Sequence, residues 1–248
     1  MTSVLMPFPA DAALASTMNQ AMEARIAPVA WRHFPDGESL VTLEDSLAGA
    51  DVAILASLRH ADALALPLRF AARTAREFGA RSVGLIAPYL GYMRQDTRFH
   101  RGEAVSTPLF AQFLEEAFDW LVTVDPHLHR VAALGDVFRI PSTAVAAAPQ
   151  LANWIRNEVT RPILIGPDSE SAQWVAVVAH EAGVPYEVLH KNRRGDREVE
   201  ISLPDIERLR GCTPVFVDDI VSTGRTLIAT LEHLYRLQLS PAVCVVIH

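Results

Sequence analysis

Apolar runs in the first half of the chain alternate with segments whose apolar residues recur every three or four positions. The runs predict β-strands at 50–57, 82–87 and 121–124. A helix between the first two strands is predicted by one apolar face, formed by Leu64, Leu68, Ala71, Ala75 and Phe78. Gly79 is a suitable stop for that helix. Thr107-Pro108 begins a second helix, which reaches about Phe118.

The second half repeats this rhythm. Its apolar runs predict strands at 162–165, 186–189, 214–217 and 242–247. A helix that ends at Gly183 is indicated by the shared face of Ser171, Trp174, Val178 and Ala182, and the last helix by Leu227, Leu231 and Leu234. Strand–helix–strand alternation of this kind predicts an α/β protein whose sheets are mainly parallel and flanked by helices.

A loose stretch at 140–150, rich in Ala and Pro, predicts a boundary between an N-terminal domain, 1–140, and a C-terminal domain, 141–248. Each half also contains a strand that runs into carboxylates, at Val124-Asp125 and at Val217-Asp218-Asp219. This similarity suggests a duplicated architecture.

Composition narrows the class of protein. The 248 residues are 50% hydrophobic, which is enough for a large buried core. The net charge of −7, from 22 basic and 29 acidic residues, argues against a surface that binds nucleic acid. Two isolated cysteines, an N-terminus unlike a signal peptide and no apolar run near ~20 residues predict a cytoplasmic protein that does not enter a membrane.

The strongest chemical pattern runs from Val215 to Thr226. An apolar strand leads into Asp218-Asp219, then into a small polar loop and a helix. Backbone N–H groups near a helix N-terminus suit a phosphate, and Gly224 permits close backbone approach. Hydroxyl groups are added by Ser222, Thr223 and Thr226. The two carboxylates fit a phosphate site if they hold sugar hydroxyls or magnesium. The alternative interpretation is an acidic strand end followed by a capped helix.

This pattern resembles the phosphoribosyl-pyrophosphate binding motif, which phosphoribosyltransferases and ribose-phosphate pyrophosphokinases share. The first half distinguishes the two families, because four further segments resemble pyrophosphokinase motifs in order: 34–38 (FPDGE), 87–96 (APYLGYMRQD), 99–103 (FHRGE) and 124–127 (VDPH). The sequence at 98–103 (RFHRGE) resembles the archaeal-type branch of the pyrophosphokinases more than the common bacterial branch. The resemblance covers 34–248 and implies two phosphoribosyltransferase-like domains with an active site between them.

The resemblance implies an ATP site in the first domain, formed by Phe34, Asp36, Glu38, Arg94, Gln95 and Asp96, with Phe34 against the adenine. It makes His127 a ligand of Mg²⁺ bound with ATP. The residues alone leave other interpretations open: Phe34 could be a core residue, 94–96 a surface turn, and His127 a polar residue satisfied by its neighbours.

In the second domain, the resemblance implies that ribose 5-phosphate is bound by Asp218, Asp219, Ser222, Thr223, Gly224 and Thr226. Lys191 and Arg193 match a K-x-R element on a loop that closes over the reacting phosphates, and Arg194 fits equally well by a shift of one residue. Asp168 matches the pyrophosphate loop and is expected to bind metal. Ser169, Glu170 and Ser171 depart from the glycine-rich part of that loop.

The implied reaction is attack of the C1 hydroxyl of ribose 5-phosphate on the β-phosphorus of ATP, with AMP leaving. The resemblance also implies a homo-oligomer in which neighbouring subunits contribute to the ATP site, and 98–103 is the expected contributor. Because the family usually continues beyond the strand that precedes His248, a truncated second domain is a further expectation. The rivals are a phosphoribosyltransferase, a catalytically silent partner of active subunits and a kinase-like enzyme for a related sugar phosphate.

Overall fold

The computed structural model describes residues 2–43, 46–128, 130–167, 171–194, 198–202, 209–236 and 241–248. Within these ranges, the side chains of 190–194, 198–202, 226 and 233 are outside the description. The chain forms two compact units, Met1–Val145 and Ala146–His248. The division falls inside the predicted boundary stretch at 140–150.

Unit 1 is built on a six-stranded sheet in which every neighbouring pair is parallel. The strand order is β2-β1-β5-β6-β7-β8. The strands are β1 (Ser3–Pro7), β2 (Arg25–Ile26), β5 (Asp51–Leu55), β6 (Ser82–Ala87), β7 (Trp120–Val124) and β8 (Ser142–Val145). The helices are α1 (Ala12–Met22), α2 (Ala61–Glu77) and α3 (Ser106–Glu115), with short 3-10 helices at Pro9–Asp11 and Leu134–Asp136. An antiparallel hairpin joins β3 (Val29–His33) to β4 (Ser39–Leu43).

Strand β5 shows why this sheet forms. Its Val52 and Ile54 pack into one apolar cluster, while Ala53 and Leu55 pack into a second cluster on the opposite face. Successive strand residues point to opposite faces, so a strand buried on both sides needs a continuous apolar run. The same logic accounts for the prediction of β6, which spans 82–87 as expected.

Unit 2 has a four-stranded parallel sheet in the order β10-β9-β13-β14. The strands are β9 (Pro162–Gly166), β10 (Tyr186–Val188), β13 (Thr213–Asp218) and β14 (Val243–Val246). The helices are α4 (Ala148–Glu158), α5 (Ala172–Ala182) and α6 (Arg225–Arg236). A separate antiparallel ribbon pairs β11 (His190–Arg194) with β12 (Glu198–Ser202).

The two units share one order of elements. Each contains strand, helix, strand, antiparallel pair, strand, helix and strand, and the sheet orders β2-β1-β5-β6 and β10-β9-β13-β14 match term for term. The predicted duplication is therefore visible in the topology. The two acidic strand ends that suggested this duplication do not correspond to each other, however. Strand β13 corresponds to β5, whereas the acidic end at Asp125 follows β7.

The remaining predictions of α/β elements are confirmed to within a few residues. The predictions lacked β1, α1, β2, the β3–β4 hairpin, β8, α4 and β12. The segment 191–194 was expected to be a loop, whereas it lies in strand β11. Among the described helices, none combines the length and the apolar character that a membrane span requires.

Candidate active site

The segment after β13 runs from two acids into helix α6. Asp218 and Asp219 are half-buried, and the Asp219 N–H donates to Asp218 Oδ1 at 3.0 Å. The following turn is fixed by the backbone of His248, which donates to Asp219 O and accepts from the Val221 N–H, both at 3.0 Å. These two bonds hold the acidic end of β13 at the carboxyl edge of the sheet, where ligands bind in open α/β folds.

Gly224 lets this turn enter the helix. Its φ is +68°, in the left-handed region where side chains with a Cβ are strained. The Gly224 carbonyl accepts from the Ile228 N–H at 2.8 Å, which closes the first turn of α6. Ser222 and Thr223 are exposed, and Thr223 Oγ1 accepts from the Arg225 N–H at 3.5 Å. Thr226 lies in α6, and its side chain is outside the description.

This arrangement offers two kinds of binding group, one that suits an anion and one that suits hydroxyl groups or a cation. The first backbone N–H groups of a helix have no intrahelical acceptors and favour an anion such as phosphate. The Asp218 and Asp219 carboxylates are acceptors that suit hydroxyl groups or a hard cation. The segment therefore brings together all the described parts of the predicted ribose-5-phosphate site.

Lys191 and Arg193 lie in strand β11, paired with Ile201 and Val199 of β12. An antiparallel ribbon replaces the predicted loop at this position. Lys191 is also the single lysine in the sequence, because the other 21 of the 22 basic residues are arginines. Asp168, Ser169 and Glu170 lie outside the described residues, so the expected metal ligand and the altered pyrophosphate loop stay predictions.

In unit 1, the segment after β6 is tied to the strands on either side. The Leu58 N–H donates to Tyr89 O at 2.9 Å, and the Val124 N–H donates to Pro88 O at 3.2 Å. Tyr92 has a φ of +64°, and its carbonyl accepts from Thr107 Oγ1 at 2.8 Å. The chain therefore leaves β6 in a fixed turn, which leads directly to Arg94.

Of the next three residues, Asp96 has a nearly enclosed side chain. The Asp96 side chain is 5% exposed and accepts from Arg130 Nη1 at 2.8 Å. Arg94 is exposed, and the half-buried Gln95 accepts from the Thr107 N–H at its carbonyl and from Ser106 Oγ at Oε1, at 3.3 and 3.4 Å. His127 is half-buried, three residues before Arg130. The structure thus brings Asp96 and Arg130 together, and Arg130 is a residue that sequence reasoning missed.

The segment 98–103 forms a compact turn around Glu103. Glu103 Oε2 accepts from the Phe99 and His100 N–H groups at 3.1 and 3.0 Å, and Oε1 lies 2.8 Å from His100 Nδ1. The hydrogen bond from the His100 side chain, supported by the His100 and Phe99 backbone, holds the pKa of the Glu103 carboxyl below its usual range. Arg98 Nε donates to Glu103 O at 2.7 Å.

We expect Glu103→Gln to loosen this turn. The depressed pKa means that the contribution of Glu103 is present above the ordinary carboxyl pKa and is lost as the pH falls through the lowered value. At neutral pH, trypsin should therefore cleave after Arg98 and Arg101 several-fold faster in the variant, because cleavage tracks local opening. Glu77→Gln, at an exposed residue of α2, is the control. Equal cleavage rates in both variants would contradict the prediction.

Phe34, Asp36 and Glu38 occupy the tip of the β3–β4 hairpin. The Phe34 N–H donates to Glu38 O at 2.8 Å, Gly37 has a φ of +92°, and the Glu38 N–H donates to Asp36 Oδ1 at 3.2 Å. Phe34 is 40% exposed, with the Arg32 guanidinium 4.9 Å from its ring centre, so it is not a core residue. Among the described contacts, none joins this tip to Arg94, Gln95 or Asp96.

Two family models match the chain. The N-terminal domain of ribose phosphate pyrophosphokinase matches residues 4–117, and the phosphoribosyl transferase domain matches residues 139–248.

Curated relatives and a solved structure agree with these matches. The chain is 35% identical over 223 residues to a ribose-phosphate pyrophosphokinase of Methanopyrus kandleri, covering 89% of this chain and 75% of the relative. It is 31% identical over 217 residues to that of Thermoplasma acidophilum, covering 88% and 74%. The phosphoribosylpyrophosphate synthetase of Mycobacterium smegmatis has the same fold, with a TM-score of 0.82, 22% identity and coverage of 99% and 80%.

Proposed function

Because this chain belongs to the ribose-phosphate pyrophosphokinase family, similar to its archaeal members, we propose that it transfers the β,γ-diphosphate of ATP to C1 of ribose 5-phosphate. The products are AMP and 5-phosphoribosyl 1-diphosphate. The observation that carries the proposal is the acid pair at the end of β13, followed by a fixed turn and the start of α6.

Unit 2 would bind the acceptor sugar. The backbone N–H groups at the start of α6, with Ser222, Thr223 and Thr226, hold the 5-phosphate. Asp218 and Asp219 accept hydrogen bonds from ribose hydroxyls, which fixes the C1 hydroxyl for in-line attack. Positioning of this kind is the main protein contribution to phosphoryl-type transfers.

Unit 1 would bind ATP. Arg94 is exposed and its guanidinium suits bidentate contact with phosphate, while Gln95 is anchored beside it. Phe34 offers an exposed ring for the adenine, on a hairpin tip that also carries Asp36 and Glu38.

Unit 2 would also supply the catalytic cations. Lys191 and Arg193 stabilise the charge on the β- and γ-phosphates while the bond to AMP breaks.

Magnesium is the proposed cofactor. The described residues include no group of three His, Cys, Asp or Glu side chains that could hold a metal on their own. The half-buried carboxylates at 218–219 are hard oxygen donors of the kind that magnesium prefers. The proposed protein ligands are His127 for magnesium bound with ATP and Asp168 for the pyrophosphate loop, and phosphate oxygens and water would complete the coordination, as is usual for magnesium at phosphate sites. Bound magnesium would neutralise charge on the transferred phosphates.

One assay tests this function. Incubation with magnesium, ATP and ribose 5-phosphate should give AMP and a diphosphorylated sugar in equal amounts. A phosphoribosyltransferase would instead consume 5-phosphoribosyl 1-diphosphate with a nucleobase, and a sugar kinase would release ADP. Binding of both substrates without product would favour the catalytically silent partner, an alternative that the departure at 169–171 keeps open. Sedimentation analysis of the same sample tests the proposed homo-oligomer, which is at least a dimer.

A further inference from the structure

Arg130 and Asp96 form a contact that links two separate segments of the candidate ATP site. Arg130 Nη1 donates to Asp96 Oδ1 at 2.8 Å, and the Arg130 backbone N–H donates to Asp96 Oδ2 at 3.2 Å. One residue therefore engages both oxygens of a carboxylate that is 5% exposed, while the Arg130 side chain is 49% exposed.

The pair connects two parts of the chain that carry residues of the candidate ATP site. Asp96 directly follows Arg94 and Gln95, and Arg130 comes three residues after His127. The pair therefore joins the turn after β6 to the turn after β7, which are neighbouring strands of the sheet. Both turns carry residues that the proposed function assigns to ATP and magnesium.

The contact also reaches the compact turn at 98–103. The Arg130 guanidinium lies 5.5 Å from the centre of the Phe99 ring, which is within range for a cation–π interaction. The Phe99 N–H in turn donates to the Glu103 carboxylate. The Arg130 side chain thus contacts both Asp96 and Phe99, whereas the Arg130 backbone belongs to the turn after β7.

We propose that Asp96 and Arg130 are a positioning pair, which holds Arg94 and Gln95 in register with His127 for ATP binding. The inference rests on the proposed function and deepens it. It gives Asp96 a different task from the direct ATP contact expected from the sequence, because both of its oxygens are already engaged. Arg130 acts through Asp96 in this proposal and does not touch the nucleotide.

The physical reason is the burial of the carboxylate. Loss of the guanidinium leaves the Asp96 side chain, which is 5% exposed, with the Arg130 backbone N–H as its one hydrogen-bond partner among the described residues. A nearly enclosed carboxylate that loses a hydrogen-bond donor is left partly unsatisfied, whereas removing both partners together avoids that cost. The turn that carries Arg94 is therefore expected to shift most in the single variant at Arg130.

A double-mutant cycle with Asp96→Asn and Arg130→Gln tests the pair. We expect Arg130→Gln to raise the KM for ATP about tenfold or more, with the KM for ribose 5-phosphate unchanged. The double variant should be no worse than Arg130→Gln alone, because coupled residues are not additive. Arg73→Gln, which removes an exposed arginine on α2, is the matched control and should behave like the wild type.

Hydrogen exchange provides a readout that does not require activity. Amides in 94–99 and 125–131 should exchange faster in Arg130→Gln than in wild type or Arg73→Gln. If the wild type transfers no diphosphate, the proposed function fails, while exchange still decides whether the pair holds the two segments. Additive losses of ATP affinity would assign Arg130 to direct ATP contact and overturn the positioning role. Unchanged exchange in both segments would overturn it as well.

Discussion

Simultaneous replacement of Asp218 and Asp219 by Ala should abolish turnover of ribose 5-phosphate while ATP binding stays measurable. The two carboxylates stand at the end of β13, beside the turn that His248 holds in place. If they accept hydrogen bonds from ribose hydroxyls, their loss removes the orientation of the C1 hydroxyl. Loss of orientation in a bimolecular transfer costs several orders of magnitude in rate, since effective molarities reach ~10⁵–10⁸ M.

Steady-state assays and calorimetric ATP titrations on the same preparation measure the two halves of this prediction. The matched control is Glu158→Ala with Glu181→Ala, which removes two exposed acids from unit 2. This control should retain full turnover, because neither acid lies in the candidate site. Turnover of Asp218→Ala/Asp219→Ala at the wild-type rate would exclude the assignment of the pair to the sugar.

Replacement of Lys191 by Ala should lower kcat by about 10²-fold or more, with a much smaller change in either KM. Removal of one preorganised donor from a transition state typically costs ~10²–10³ in kcat. An interaction that strengthens only as charge develops affects kcat, whereas an interaction present throughout affects KM. An effect confined to KM would place Lys191 in ground-state binding.

The composition of the chain makes a second test of Lys191 possible. Because Lys191 is the single lysine, an amine-selective reagent has only its ε-amine and the α-amine as targets. Modification at Lys191 should remove activity in proportion to its extent, and bound ATP should slow it. Lys191→Arg should retain the charge but recover activity only in part, since a guanidinium does not replace a compact ammonium. Full activity of a completely modified enzyme would rule out the catalytic role.

The local pattern of apolar and polar residues was sufficient to predict most of the strands and helices. Strand β6 was predicted at its observed bounds because its apolar run ends at Pro88, and α5 ends before Gly183, whose φ is +68°. The β3–β4 hairpin was missed because its apolar residues fall in short runs, VAW in β3 and LV in β4, and because its turn had been interpreted only as a motif. Strand β11, HKNRR, is wholly polar and carries no periodicity, whereas the alternation of polar and apolar residues in β12, EVEIS, was overlooked.

The candidate site was predictable where its residues are contiguous. The 218–226 segment needs only a strand, a turn and a helix in sequence, and the structure has them. Arg130 was not predictable, because its partner Asp96 is 34 residues away and only the pairing of β6 with β7 brings them together. The exposure of Phe34 likewise depends on where the hairpin tip lies in the fold.

The matching strand orders of the two units show one architecture used twice, with different residues at the ends of the matching strands. Strand β5, the counterpart of β13, ends at Leu55 and is followed by Ala56 and Ser57, whereas β13 ends in the acid pair. The buried Asp11 accepts from the Ser57 N–H at 2.9 Å and from Ser57 Oγ at 2.7 Å. In unit 1, the Asp11 carboxylate therefore fixes the turn after β5 by hydrogen bonds, whereas in unit 2 the acid pair lies at the end of β13 itself.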